Sequence, residues 1–431
     1  MLLLGGIAVA VLLTWILPAG TYQRRIDSTG HERVVAGTYA RVPATPVGLL
    51  GTLTAAPRGI VAGADVVLTI LFVGGAVALV DRTGALARLV AALVRRFRKP
   101  YVVVALVCCG FAIMGAVENM QEEIVAMVPV LVVLSRGLGF GPTTALGMSA
   151  GAAVVGSAFG PSNPFQTGIA LRFADLPGMS QPALRFALLP AAVALWIGWT
   201  IVAASADSAR PETTATASEV GPATRRDFVL LALVLVPFVP YVVGVIRWGW
   251  AFDELSGLFL VAGFAIGLAS GRSLWASAAG FLQAMEALLA PALYVGTARG
   301  ISVVLTEGKV LDTIVHGLSA PLAHVPGLFA AWLMVPVHAV LHVPVPSVSG
   351  HAALTIPIMA PLADLMGVSR DAAVIAYQTG AGLMDMITPT NGALLAMLVT
   401  ADVSYARWLR FAVPGAILIS IVGFLGMALA R

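Results

Sequence analysis

The chain has 431 residues, of which 59% are hydrophobic and 11% are charged. Soluble globular proteins contain roughly 45–50% apolar and about 25% charged residues, so this composition excludes a soluble enzyme, and it also excludes a disordered chain. The mean hydropathy of +0.95 and the continuous apolar runs predict a polytopic helical membrane protein rather than a barrel of alternating strands. The net charge of +4 comes mainly from arginines scattered at segment ends, and it does not indicate binding to nucleic acid.

Apolar runs predict the segments that enter the lipid bilayer. In chain order they lie at 2–18, 61–81, 101–117, 124–134, 143–159, 184–205, 228–246, 256–270, 283–305, 326–342, 352–366, 371–387, 392–400 and 408–430. The first run is interpreted as a spanning helix, with a cleaved signal peptide as the alternative, and a polar loop is expected at 20–58. A bilayer of about 30 Å requires about 20 helical residues, so short runs such as 124–134 and 392–400 predict re-entrant hairpins and broken helices.

Three further features are local. Residues Thr83–Phe97 carry apolar side chains at helical spacing with arginines between them, which predicts an amphipathic helix in the membrane interface. The basic block Arg95–Lys99 predicts a cytoplasmic loop by the positive-inside rule. Cys108 and Cys109 are adjacent within an apolar run, which indicates small core residues rather than a disulfide or a metal site.

A polar segment divides the chain into two nearly equal parts, and the parts resemble each other. A shift of 228 residues places Pro129 on Pro357 and Pro161 on Pro389, and the two most polar membrane segments then coincide. We therefore predict two repeats. The first covers 1–206, with about five spans and a hairpin near 118–135; a linker covers 207–226; the second covers 227–431, with a hairpin near 343–362.

The two predicted hairpin tips carry polar residues at corresponding positions. The first tip is Glu118–Glu123 and the second is Val345–His351. Charged groups at bilayer depth cost several kcal/mol unless they are paired or hydrated, so the first tip is expected to line a polar cavity; an ordinary solvated loop is the alternative. The candidate binding residues of the two tips are Glu122, Glu123, Ser347 and Ser349.

Glycine and proline interrupt the apolar segment Gly156–Gly168. Proline removes a helical hydrogen bond and glycine costs about 1 kcal/mol relative to alanine in a helix, so a spanning helix is expected to unwind here. The residues that would hold the break open are Gly160, Pro161 and Pro164. The freed carbonyls and the side chains of Ser162 and Asn163 are candidate ligands of Na⁺, and the next helix N-terminus is a candidate carboxylate site. A surface turn is the alternative.

The repeat partner of this break is Asp385–Gly392, in which Pro389 would hold the helix open. Its candidate substrate or ion ligands are Thr388, Thr390 and Asn391, the last two completing the sodium site of the first break. Asp385 is a candidate for binding a proton or a cationic substrate group. The alternatives for Asp385 are a helix cap and a partner for Arg299.

Two broken helices and two hairpins at corresponding positions indicate a secondary transporter. The sequence has no Walker A pattern, so transport is expected to be driven by an ion gradient or by exchange. His338 and His342 are interpreted as packing or hairpin-facing residues, since the HExxH zinc pattern is absent. Ser349 and His351 leave a membrane-embedded serine hydrolase as a competing class, and a channel is the third.

Five segments together resemble a known transporter family. They are Leu17–Tyr22, Glu122-Glu123, Asn163–Ala170, Pro357–Asp364 and Thr388–Thr390. On these segments the chain is similar to the YfcC family of the ion-transporter superfamily, which is related to the anaerobic four-carbon dicarboxylate carrier DcuC and to arginine/ornithine exchangers. The resemblance covers essentially the whole chain.

Three positions depart from the family pattern. Val348 stands where a third serine is usual, Asn391 where serine is common, and Asp385 where asparagine is more frequent. The additional carboxylate of Asp385 favours proton coupling or a cationic amino group over a simple dicarboxylate.

The resemblance implies an inverted two-repeat fold with hairpins that meet near the bilayer midplane. It also implies a homodimer with a scaffold domain and a moving transport domain; the scaffold candidates are 61–81, 228–246 and 256–270.

We therefore predict an all-α polytopic transporter of the bacterial inner membrane, not an enzyme. It would move a small polar carboxylate or amino acid with Na⁺ or H⁺, or by exchange, and it would need no other cofactor. Antiport of basic amino acids of the arginine/ornithine type is the narrower alternative.

Overall fold

A computed structural model describes residues 2–26, 32–96, 99–207, 221–325 and 327–430. The first half contains α1 Leu2–Ile16, β1 Gly20–Thr21, β2 Arg24–Ile26, β3 Glu32–Val34, β4 Ala40–Arg41, α2 Leu49–Ala62, α3 Ala64–Asp81, α4 Ala85–Arg96, α5 Pro100–Glu118, α6 Glu122–Gly137, α7 Pro142–Leu146, a π-helical turn Gly147–Gly151, α8 Ala152–Phe159, a π-helical turn Pro164–Gly168, α9 Ile169–Phe173 and α10 Pro182–Ala206.

The regular elements of the second half are all helical within its described part. It contains α11 Arg225–Leu235, α12 Phe238–Trp248, α13 Phe252–Ala269, α14 Leu274–Glu307, α15 Leu311–Ser319, a 3₁₀ turn Ala320–His324, α16 Gly327–His342, α17 Val348–Leu365, α18 Arg370–Tyr377, a π-helical turn Gln378–Gly382, α19 Gly392–Thr400 and α20 Tyr405–Leu429.

Within these described ranges, eight helical segments are long and apolar enough to cross a membrane. The predicted all-α polytopic membrane protein is therefore confirmed. The two antiparallel strand pairs, β1 with β4 and β2 with β3, lie in the first loop, where the sequence predicted only an irregular polar segment.

That predicted polar loop at 20–58 was too long, because α2 begins at Leu49. The helix contains Pro57 and Arg58, which weaken its apolar pattern, and it is stabilised by close packing on α14. A side chain added at Gly59 would lie only 2.3 Å from the backbone nitrogen of Gly300. Small residues at this contact let the two helix backbones approach, as in other membrane helix pairs.

Four elements of the first half have counterparts in the same order in the second half. α5 corresponds to α16, α6 to α17, the interrupted helix α7–α8 to α18 with its π turn, and α10 to α20. This agrees with the shift of 228 residues, whereas the domain boundaries and the inversion of the halves stay predictions. Of the predicted linker, residues 208–220 lie outside the described residues, and α11 begins at Arg225.

Both helix breaks lie where glycine and proline predicted them. Helix α8 ends at Phe159, and regular α-helix resumes only at Ile169, after the π turn. Between α18 and α19, residues 385–391 are turns and extended chain. π-helical turns inside helices are rare and are frequent at functional sites, and here one adjoins each break.

The two helices of the first predicted hairpin pack on different parts of the protein. Helices α5 and α6 are joined by residues 119–121, but α5 packs on α8 and α10, whereas α6 packs on α3, α7 and α19. Helices α16 and α17 are joined by residues 343–347. The first tip is therefore held between other elements of the protein rather than by its own two arms alone.

The amphipathic pattern of Thr83–Phe97 forms helix α4, as predicted. Its Arg88 makes an ion pair of 2.6 Å with Asp227 of α11, so the helix is tied to the second half. Its predicted location in the membrane interface stays a prediction. Residues 97–98 of the basic block lie outside the described part of the chain.

Candidate functional site

A polar cavity of about 90 Å³ lies where the two hairpin tips meet the second helix break. Its lining residues are Glu118, Asn119, Gln121, Glu122, Phe165, Phe252, Arg299, Pro346, Ser347, Val348, Ser349, Asp385 and Asn391. A second cavity of about 30 Å³ shares Glu122, Arg299, Pro346 and Asn391 with the first and adds Thr390. Both halves of the chain therefore contribute to one site.

The first tip is buried, as its predicted role requires, and it is not a solvated loop. Asn119 turns the chain at φ 61°, a left-handed conformation that asparagine tolerates better than most residues. Glu118 is only 5% exposed, and neither of its carboxylate oxygens has a hydrogen-bond partner. Glu122 lines the cavity, whereas Glu123 turns away and accepts a 3.2 Å bond from the backbone of Gln121.

The second tip presents two serines to the cavity. Ser347 begins α17 and accepts a 3.4 Å bond from the backbone N–H of Gly350, and Ser349 also lines the cavity. Thr390 donates to the carbonyl of Val343 at 2.6 Å. This bond joins the second break to the loop that carries the second tip.

Asp385 is at the centre of a hydrogen-bond network that joins both halves of the chain. Its Oδ2 accepts from Gln121 Nε2 at 2.9 Å, and Asn391 Nδ2 donates to its Oδ1 at 3.1 Å. The same Oδ1 lies 2.8 Å from Nε2 of His342. Asp385 is therefore paired with a histidine, and the alternative of a partner at Arg299 is not realised.

The histidines of α16 do more than the predicted packing. His342 contacts Asp385, and both His338 and His342 contact His351 of α17. All three histidines are fully buried. The sequence could have indicated this cluster, because His338 and His342 are one helical turn apart on α16 and His351 lies in the first turn of α17.

Asn163 makes several of the hydrogen bonds that hold the first break. Of the residues of this break, only Phe165 lines the larger cavity. Asn163 Oδ1 accepts from the backbone of Phe165 and Gln166 at 2.9 and 2.8 Å, which caps the helix after the break. Its Nδ2 donates to the carbonyl of Gly115 at 2.9 Å. Thr167 donates to the carbonyl of Gly160 at 2.6 Å, so this freed carbonyl is already bonded.

Gly160 and Pro164 suit the local backbone of the first break. A side chain at Gly160 would lie 2.7 Å from Cα of Ala116, so only glycine lets α8 approach α5 here. Pro164 stands at the first position of its π turn, where a missing N–H breaks no helical bond. Pro161 and Pro389 lie inside the two breaks.

The predicted sodium ligands are not brought together. Ser162 is exposed, and among the break-one residues only Phe165 reaches the larger cavity. The side-chain oxygen of Asn391 accepts from the backbone of Leu394 at 3.1 Å, and that of Asn163 is used as a cap. The residues present do not fit one sodium ion.

Thr388 and Gln378 lie beside the cavity rather than in its wall. Thr388 Oγ1 is 2.8 Å from Oγ1 of Thr390, which orients the latter. Gln378 donates to the carbonyl of Ala158 at 2.9 Å and to Thr167 at 2.7 Å. Gln378 therefore joins the second broken helix to the first break.

Arg299 is the functional candidate that sequence reasoning placed only among the alternatives. It is half-buried on α14 and lines both cavities. It is the only cationic side chain among the described lining residues, and it is in no direct ion pair with a described residue. The sequence could have indicated this role, because an arginine inside an otherwise apolar segment is a functional candidate by default.

The two capping asparagines provide a matched test of the site. Asn163→Ala and Asn391→Ala each remove a helix cap, so each is expected to lower stability by about 1 kcal/mol. Only Asn391 lines the cavity and contacts Asp385, so only Asn391→Ala should also weaken substrate binding. Thermal unfolding and transport KM of both variants measure this; equal effects of the two changes on KM would contradict the placement of the site.

The membrane-spanning helices, the paired breaks and the buried polar cavity between them define a membrane transporter. The chain belongs to the DcuC family, C4-dicarboxylate anaerobic carriers, which it matches over residues 1–431. It is therefore a multi-pass transporter of a bacterial inner membrane and not an enzyme. In agreement, the ring nitrogens of His351 face two histidines, not the serine that the hydrolase alternative required.

Two bacterial relatives match almost the whole chain, which confirms the predicted YfcC resemblance. An Escherichia coli K12 protein, "Putative basic amino acid antiporter YfcC", is 29% identical over 450 residues, covering 93% of this chain and 89% of the relative. An uncharacterized protein of Haemophilus influenzae is 28% identical over 464 residues, covering 94% and 91%.

Two solved transporter structures align with low similarity. MtrF of Neisseria gonorrhoeae, described with a class of antimetabolite efflux pumps, has a TM-score of 0.48 and 13% identity, covering 99% of this chain and 94% of its own. The YdaH transporter of Alcanivorax borkumensis, described as having an unusual topology, has a TM-score of 0.47 and 16% identity, covering 99% and 97%. At these values no site residue is carried over.

Proposed function

We propose that the protein is a secondary transporter that exchanges amino acids with a cationic side chain across the inner membrane. One observation carries this proposal: Glu118, Glu122 and Asp385 share a buried cavity with the single guanidinium of Arg299. A charge in a low-dielectric site requires a partner. The arrangement therefore suits a ligand that brings both a carboxylate and a positive charge.

Each part of a basic amino acid finds a complement in the cavity. Arg299 would bind the α-carboxylate, for which a guanidinium offers two parallel donors. Glu118 and Glu122 would face the ammonium or guanidinium groups. Phe165 and Phe252 line the same cavity and would pack on the aliphatic stem of the side chain.

The cavity is contracted, which agrees with a transport cycle rather than a fixed binding pocket. Small-molecule pockets usually measure about 300–1,000 Å³, whereas the two cavities measure about 90 and 30 Å³. An amino acid would enter only after the tips and the second break separate. Such movement of elements around a midplane site is the usual basis of alternating access.

A four-carbon dicarboxylate is the second candidate, and the description of the family favours it. The charges in the cavity oppose it, because a dianion would bring two more negative charges beside three carboxyl groups. The relative from Escherichia coli is described as an antiporter of basic amino acids, and this supports the first candidate.

Counterflow in proteoliposomes tests the proposal. Vesicles are loaded with unlabelled arginine, lysine or succinate, and the entry of the same labelled compound is followed with and without Na⁺. Protein-free vesicles are the control. We expect saturable counterflow of arginine and lysine without a sodium requirement. Counterflow of succinate alone would contradict the proposal and would favour the dicarboxylate candidate.

A further inference from the structure

Four buried ionisable side chains form a continuous line that ends at the polar cavity between the hairpin tips and the second break. His338 Nδ1 lies 3.0 Å from His351 Nε2. The other ring nitrogen of His351, Nδ1, lies 3.4 Å from Nδ1 of His342. Nε2 of His342 lies 2.8 Å from Oδ1 of Asp385, and Asp385 lines the cavity.

This arrangement is a line and not a metal cage. A metal ion would need one nitrogen from each histidine directed at a common point. Instead His351 turns one nitrogen to each of two neighbours, and His342 turns one to His351 and the other to Asp385. Within the described ranges no group of His, Cys, Asp or Glu side chains is placed to hold a metal.

With Asp385 ionised, the line has one self-consistent set of hydrogen positions. A neutral imidazole carries one N–H and one bare nitrogen. His342 then donates from Nε2 to Asp385, His351 donates from Nδ1 to His342, and His338 donates from Nδ1 to His351. The bare nitrogen left over is Nε2 of His338, which is buried and has no hydrogen-bond partner.

We propose that His338, His351 and His342 relay a proton to Asp385. A proton binds Nε2 of His338, and the Nδ1 proton of that ring passes to Nε2 of His351. The Nδ1 proton of His351 passes to His342, whose Nε2 proton passes to Asp385 Oδ1. Only N–H and O–H bonds change. One proton enters, the carboxylate becomes a carboxylic acid, and each histidine ends neutral as its other tautomer.

The local packing holds this line in place. His338 and His351 each lie with ring centroids 5.6 Å from Tyr377, whose hydroxyl donates to the carbonyl of Val348 at 2.7 Å. A side chain added at Gly380 would lie 2.8 Å from Cβ of His338, so the π turn presses directly on this histidine. The rings are therefore restrained in orientation, as a relay needs.

The other titratable groups near the line are few. From α18 the line is faced by Tyr377, and at its cavity end Asp385 shares the wall with Glu118, Glu122 and Arg299. Four other ionisable groups on the packed elements are paired away from the line. Asp364 pairs with Arg370, Asp371 with Arg185, Arg407 with Asp207, and Asp312 with Arg24. Asp385 is thus the group that accepts the proton at the end of the line.

The inference rests on the proposed transport function, to which it adds the coupling ion and its path. A proton on Asp385 cancels a negative charge in the cavity. Protonation and binding of a cationic substrate therefore exclude each other, and this competition is the requirement for exchanging a proton for a cationic amino acid.

Infrared difference spectroscopy of the reconstituted protein tests the relay without any substrate. A step to lower pH is expected to produce a carboxylic-acid C=O band that Asp385→Asn removes. His351→Gln keeps a donor and an acceptor but cannot change tautomer, so it should greatly slow the appearance of this band. The matched control is His324→Gln, because His324 is exposed. A band that forms at the wild-type rate in His351→Gln would overturn the relay.

Transport then separates the relay from the proposed function. In vesicles, His351→Gln should retain arginine–arginine exchange, which moves no net proton, and should lose arginine accumulation driven by a pH gradient. Retained exchange also shows that the variant is folded. Unchanged gradient-driven accumulation in His351→Gln would overturn the relay, whereas failure of the wild type to carry arginine would overturn the proposed function and leave the infrared result standing.

Discussion

Replacement of Arg299 by methionine is expected to raise the arginine concentration for half-maximal transport roughly 10- to 100-fold. Hydrogen bonds to charged groups contribute about 1.5–3 kcal/mol, and each 1.4 kcal/mol is about tenfold in affinity. Arg299 is the only cationic side chain among the described lining residues of the cavity, so no neighbour replaces it. Methionine keeps much of the side-chain volume. Arginine counterflow in proteoliposomes measures the KM.

A decarboxylated substrate shows whether Arg299 binds the carboxylate. Agmatine, which is arginine without its α-carboxylate, should compete poorly with arginine in the wild type and relatively better in Arg299→Met. The control is Arg407→Met, whose partly exposed arginine pairs with Asp207 outside the cavity. An equal loss of arginine and agmatine binding in Arg299→Met would mean that the guanidinium supports the structure and does not contact the carboxylate.

Replacement of Asp371 by asparagine is expected to cause a large loss of stability. Arg185 of α10 and Asp371 of α18 form a 2.9 Å ion pair, and they are only 2% and 5% exposed. Removal of one partner leaves an unpaired buried charge, which costs about 3–5 kcal/mol. Arg185 also donates to Gln378 at 2.7 Å, so the second broken helix should loosen. Thermal unfolding in detergent measures the effect.

Asp364→Asn is the matched control for this ion pair. Asp364 pairs with Arg370 at 2.8 Å, but its side chain is 48% exposed, and exposed pairs contribute about 0–1 kcal/mol. The double variant Arg185→Met with Asp371→Leu should recover much of the loss, because apolar residues often replace a buried pair without penalty. A similar loss in Asp364→Asn and Asp371→Asn would contradict this account of the pair.

Much of the fold was predictable because a bilayer requires long apolar helices. The apolar runs gave most helices, and the proline and glycine clusters gave both breaks. Helix α2 was missed for a physical reason. Pro57 and Arg58 weaken its own pattern, and its stability comes from glycine contacts with α14, which only the folded structure reveals.

The candidate site was predictable only in part. Polar residues within apolar segments indicated the hairpin tips and Asp385, because such residues are costly in a membrane without partners. The line from His338 to Asp385 depends on how α16, α17 and α18 pack, and no single segment contains it. Likewise, Asn163 and Asn391 matched in the repeat, yet only Asn391 faces the cavity.

Substrate protection of a single cysteine tests the central claim that this cavity binds the transported amino acid. Both native cysteines, Cys108 and Cys109, are first replaced by alanine. Ser349→Cys then places a thiol in the cavity wall, and Ser162→Cys places one at an exposed position of the first break. The rate of maleimide labelling is measured with and without arginine. We predict that arginine slows labelling of Ser349→Cys and leaves Ser162→Cys unchanged; protection of Ser162→Cys alone would contradict the site.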